Sequence, residues 1–256
     1  MVCKTLRAKI GAGLTAGMLL AGGPLLAQEG CDPVLVAETS AGAMVRLTLS
    51  STCHAGQTVV VHHNGMMISD MLDDTGMMML AIPALTETAL FMAEIGDEGS
   101  VAIATTEVPS LSFYDRVALQ WQGQTGLELH AREFEAEYMS EGHIWRESPA
   151  SMDRAALGEG GFLVPLGNAT IEDGYRAEVY TFPSATVSGN GTVLMSVEAA
   201  VEDFNCEKDI DAQALQVNAG GDLMVRELSI AMPSCESVGD LVVLDALVDD
   251  IKVGAN

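Results

Sequence analysis

Apolar and polar residues alternate one for one over several stretches of this chain. Between 192 and 201, Val193, Met195, Val197, Ala199 and Val201 share one face, while Thr192, Ser196 and Glu198 fall on the other. Period-two alternation marks a half-buried β-strand, because successive side chains leave opposite sides of the backbone. The pattern recurs from 224 to 232, where Met224, Leu228 and Ile230 face one way. "LELHAREF" (127–134) and "YRAEVYTFP" (175–183) are further strand candidates. Turn signals return about every 8–12 residues and helical spacing is scarce, which together predict an all-β chain. The C-terminal "GDLVVLDALVDDIKV" fits either a short helix on Leu241, Leu244, Val248 and Ile251 or two strands, and the strands are preferred.

Val108-Pro109-Ser110 punctuates this pattern and divides the chain. Residues 28–109 have the length of a seven-stranded sandwich. Residues 110–256 form a longer, loopier second sandwich, and 148–161, rich in Ser, Gly, Ala and charge, is its least regular stretch.

The N-terminus changes the compartment. Lys4, Arg7 and Lys9 precede an apolar run from 10 to 20, and Leu25-Leu26-Ala27 offers a small residue for cleavage. This is the pattern of a secretory signal peptide covering residues 1–27, so the mature protein is expected in the periplasm or outside the cell. Gln28-Glu29-Gly30 is a poor lipobox for Cys31. No later apolar run approaches the roughly 20 residues of a membrane helix. Cys3 leaves with the leader, and Cys31, Cys53, Cys206 and Cys235 remain. An even number in an exported chain reads as disulfides. Of three possible pairings, Cys31–Cys53 with Cys206–Cys235 is preferred, since each closes a short loop within one module.

The full chain sets 12 Lys and Arg against 36 Asp and Glu, a net charge of −24, and loss of the basic leader makes it more acidic still. Such a surface repels phosphate backbones and excludes a nucleic-acid partner. It suits solubility, a cationic partner or calcium.

Several stretches suggest chemistry. "HHNGMMISDMLDDTGMMM" (62–79) sets histidines among methionines, a soft donor set that suggests copper. Asn64-Gly65 is a strong hairpin signal. It pairs His63 with Met66 and His62 with Met67 on opposite faces, leaving each face fewer ligands than copper needs, unless Met71 or 77–79 join. Asp74-Thr75-Gly76 has the spelling of an aspartic-protease motif, but the second copy that mechanism needs is missing from the sequence. Asp73 and Gly76 suit the ends of a type I turn. His130, Glu133 and His143 have the composition of a metal set, yet His130 and Glu133 lie three apart on a strand and face opposite ways. The expectation is that Phe134, Tyr138 and Trp145 pack inward while the polar residues meet water. An exposed Trp121–Trp145 pair would bind sugar by stacking. Asp203, Asn205, Glu207, Asp209 and Asp211 alternate through "DFNCEKDID", but Lys208 and Ala214 break the EF-hand pattern, leaving only a looser calcium site. The chain carries no nucleophile elbow, Walker loop or dinucleotide fingerprint, and no catalytic residue is assigned.

"CDPVLVAETSAGAMVRLTLSSTCHAGQTVVVHHNGMMISDMLDDTGMMMLAIPAL", "SFYDRVALQW", "LHAREF", "GHIW" and "GGFLVPLG" resemble a family of exported Gram-negative proteins labelled translocases, over nearly the whole mature chain. The label implies an association with envelope translocation and carries no site residues. The first module also resembles carboxypeptidase-regulatory and Ig-like sandwiches, which are generally not catalytic, and "DDIKV" looks like the last strand of a jelly roll. The expected protein is therefore an Ig-like then jelly-roll-like pair of β-sandwiches. It is read as a non-enzymatic binding or structural component of the envelope with a protein partner, without a cofactor. A copper, calcium or glycan binder is the alternative.

Overall fold

The computed structural model describes residues 31–96 and 99–254. The expected signal peptide, residues 1–27, lies outside them. The first strands are β1 (Val34–Ser40), β2 (Met44–Ser50), β3 (Thr58–His63), β4 (Met66–Met71), β5 (Met77–Pro83), β6 (Thr88–Ile95) and β7 (Ser100–Glu107). A 3-10 turn at Pro109–Phe113 follows. After it come β8 (Asp115–Gln122), β9 (Leu127–Glu133), β10 (His143–Ile144), a one-turn helix α1 (Met152–Ala156), β11 (Phe162–Leu166), β12 (Tyr175–Phe182), β13 (Gly191–Ala200), β14 (Asp209–Val217), β15 (Leu223–Ala231), β16 (Leu241–Asp245) and β17 (Ile251–Val253). The fold is all-β, of sandwich type.

Four antiparallel sheets result. Sheet A has the order β1-β2-β5 and sheet B β4-β3-β6-β7. Sheet C runs β11-β12-β8-β14-β15, and sheet D runs β10-β9-β13-β16, with β17 also on β13. The C-terminus forms strands, and 148–161 contains α1, whose Ser151 Oγ accepts from the Arg154 N–H as an N-cap.

Alternation sets the packing. Val193, Met195, Val197, Ala199 and Val201 are all buried against sheet C. Strand β8 is buried on both faces. Val117, Leu119 and Trp121 join the cluster shared with sheet D, whereas Ala118 joins Ala177, Val179, Leu215 and Val217 in the cluster of sheets A and B. One hydrophobic cluster thus takes residues from both sides of Pro109. Polar groups reinforce that seam. The Gln120 side chain accepts from the Met67 N–H at 2.7 Å and donates to the Gly65 carbonyl at 2.8 Å. Arg116, fully buried, donates through Nε to Thr181 Oγ1, through Nη1 to the Ala84 carbonyl and through Nη2 to the Gly42 carbonyl.

The disulfides are Cys31–Cys53 and Cys206–Cys235, the local pairing. Each closes a loop of about 20–30 residues, a length at which cross-linking removes a few kcal/mol of chain entropy from the unfolded state.

Candidate functional site

The Asn-Gly turn does what its residues demand. Asn64 (φ 49°) and Gly65 (φ 94°) both adopt the left-handed conformation of a type I′ turn. Strands β3 and β4 then pair His63 with Met66 and His62 with Met67. His63 and Met66 are buried. The Leu85 N–H donates to His63 Nε2 at 2.8 Å, so the proton sits on Nδ1, which faces the Leu90 carbonyl at 3.0 Å. The ring stacks on Phe91 at 4.3 Å. Both nitrogens are spent on backbone and no lone pair remains for a metal, so the His63–Met66 half of the copper set is a core fixture. Burial lowers the His63 pKa to about 4, against a smaller opposing effect of the Leu90 carbonyl. His62 differs. It is half-exposed, its Nε2 has no hydrogen-bond partner among the described residues, and Glu94 Oε2 stands 3.6 Å away.

The Asp-Thr-Gly stretch is a turn. Asp73 Oδ1 accepts from the Thr75 N–H, the Thr75 hydroxyl and the Met77 N–H, and the Gly76 N–H donates to the Asp73 carbonyl. These bonds to the ionised carboxylate, led by the Thr75 hydroxyl, hold the Asp73 pKa below its ordinary value. Gly76 (φ +78°) lies against the Ser51 carbonyl, where an added Cβ would meet backbone. Gly76→Ala should therefore cost about 1–3 kcal/mol in urea unfolding, while Asp74→Ala should fall within about 0.5 kcal/mol of wild type.

A buried polar cluster lies on the outer face of sheet D. His130, Ser196 and Glu198 occupy that face, at most 4% exposed, and the segment 134–148 covers them. The Met139 N–H donates to His143 Nδ1, so His143 Nε2 carries the proton and donates to His130 Nδ1 at 2.8 Å. His130 Nε2–H then faces Glu128 Oε2 at 3.4 Å. The Tyr138 and Ser196 hydroxyls both donate to Glu198 Oε1. Trp145 stacks on His130 and His143, and Arg132 stands 4.9 Å over Tyr138. Burial, followed by the charge of His130, lowers the His143 pKa.

The expected division of this segment is inverted. Phe134 and Tyr138 are exposed, and His130, Glu133 and His143 are buried. Polar residues go inward here because each finds a partner, which removes the penalty of burying it. Glu133 does point to the opposite face from His130. Its oxygens accept from the Gly161 N–H, the Tyr180 hydroxyl and Arg154. The three do not converge, and the backbone-fixed tautomer of His143 places a proton where a metal would need a lone pair.

Trp121 and Trp145 are not an open pair. Trp121 is 6% exposed and lines a cleft of about 380 Å³ with Arg146, Arg176, Glu178 and Phe204. Trp145 belongs to the histidine stack. In the acidic run, Asn205 is buried and fully engaged: Oδ1 accepts from the Glu202 N–H, and Nδ2 donates to the Thr125 and Ala200 carbonyls. Among the described residues, no group of three or more His, Cys, Asp or Glu could hold a metal ion.

Exposed apolar residues gather on one face. Leu90 (49% exposed), Val101 and Ile103 (62%) stand on the outer face of sheet B. Val34 and Val36 are exposed on β1, which lies beside β7. No family model matches the chain, and no curated protein matches it.

Proposed function

We propose that the protein is an exported, non-catalytic binding component of the cell envelope that docks a protein partner on the outer face of its first sandwich. The observation that carries this is the run of exposed branched side chains on β1, β6 and β7, where Val34, Val36, Leu90, Val101 and Ile103 stand together on neighbouring strands. Exposed apolar side chains gathered on adjacent strands mark a contact site more often than a solvated face. Glu94 and Glu107 on the same two strands favour a partner whose apolar patch is rimmed by basic residues. The engaged state of His63, Glu133, Asp115 and Glu178 supports a scaffold role, since these side chains are held by backbone N–H groups, hydroxyls or arginines of their own chain. An accessory role in envelope translocation is one form this binding would take.

Affinity capture from detergent-solubilised envelope fractions tests the reading. Wild type should retain a defined partner that a Leu90→Asp/Ile103→Asp variant of unchanged thermal stability loses. Clear turnover of peptide, ester or glycoside substrates by the purified protein, with capture unaffected by the double substitution, would refute it.

A further inference from the structure

The pairing register of sheet B assembles a donor set whose members are scattered along the chain. His62 pairs with Met67 on β4 and with Met92 on β6. Directly paired residues of antiparallel strands project to the same face, about 4.5–5.5 Å apart at Cβ. Met67, His62 and Met92 therefore form a row across three strands, and Ile103, paired with Met92 on β7, continues it. All three are half-buried. His62 Nε2 is shielded from solvent and has no hydrogen-bond partner among the described residues, which costs free energy unless something else uses the lone pair or the proton.

We infer that the Met67–His62–Met92 row is a copper(I) site. Two thioethers and an imidazole are a soft set, suited to copper(I) and poor for calcium, magnesium or manganese. Three ligands complete a trigonal site without a cysteine, and all four cysteines of the described chain are in disulfides. The unbranched methionines supply the reach that short β-branched residues lack. Glu94, with Oε2 at 3.6 Å from His62 Nε2, sets a negative charge beside a monovalent cation. The opposite face of the same hairpin cannot substitute, because both nitrogens of His63 are bonded to backbone.

Anaerobic titration of the full mature protein with copper(I) against a chromophoric chelator reads the site. One equivalent should bind with sub-micromolar affinity. His62→Ala, Met67→Leu and Met92→Leu should each weaken binding by at least the roughly tenfold that loss of an outer-shell partner costs a metal site. Met79→Leu, at an exposed methionine of sheet A, should leave binding unchanged. X-ray absorption of the loaded protein should show mixed sulfur and nitrogen scattering that becomes sulfur-only in His62→Ala. Absence of sub-micromolar binding, or binding indifferent to His62→Ala and Met92→Leu in folded variants, would overturn the assignment. Partner capture and copper binding are separate readouts, so either can fail without the other.

Discussion

Arg116→Lys should cost the protein about 3 kcal/mol or more in urea unfolding, although the charge is kept. The guanidinium is fully buried and serves three acceptors on different elements: Thr181 Oγ1, the Ala84 carbonyl and the Gly42 carbonyl. Its planar fork is what spans them. A lysine ammonium puts its donors on one atom and reaches at most part of the set, while still paying to be desolvated. Burial pulls the Arg116 pKa down to about 9, so the charged form there depends on its hydrogen-bond acceptors. Two lost bonds to a charged donor, at about 1.5–3 kcal/mol each, account for the figure. Because Gly42 and Ala84 precede Pro109 and Thr181 follows it, the loss should lower a single unfolding transition and not one of two. A Lys variant within about 1 kcal/mol of wild type would show that water or another donor serves those carbonyls.

The second large effect is an acid-linked loss of stability at His63. Its folded pKa is about 4 against an ordinary 6.5, with burial as the main cause. Between these values the unfolded chain binds the proton and the folded chain does not. His63's share of stability is therefore full above pH 6.5 and falls away as the pH drops toward 4. At about 1.4 kcal/mol per pH unit the total is about 3 kcal/mol. Asp73 and His143, whose folded pKa values are also lowered, act in the same direction. Glu178, raised by burial, opposes them. His63→Gln keeps an acceptor for the Leu85 N–H and a donor for the Leu90 carbonyl but cannot titrate. The gap in unfolding free energy between wild type and this variant should therefore shrink by about 3 kcal/mol from pH 7.5 to pH 4. A gap independent of pH would refute the linkage.

Much of the fold was legible because it rests on local rules. Asn64-Gly65 dictated a I′ turn and hence the His62–Met67 and His63–Met66 register. The alternation from Val193 to Val201 announced the buried face of β13, and short loops favoured the observed disulfides. What was hidden depends on distant partners. Ser196 and Glu198 sit on a face that alternation assigns to water, and only the cover of 134–148 buries them. Arg116, beside Asp115 in "YDRVALQW", carries no local mark of lying between two packed sheets. Met92 stands 30 positions from His62, and only the β3–β6 pairing brings it opposite. The outer face of sheet B was unreadable for the same reason, since Leu90 and Ile103 look like any other strand residues until the register aligns their rows.

Site-specific photo-crosslinking in living cells tests the central claim most directly. A photoreactive side chain placed at Ile103 or Leu90 should crosslink to one envelope protein, and the same group at Tyr138, exposed over the histidine cluster of sheet D, should not. Crosslinks from Tyr138, with none from Ile103 and Leu90, would contradict a docking face on the first sandwich.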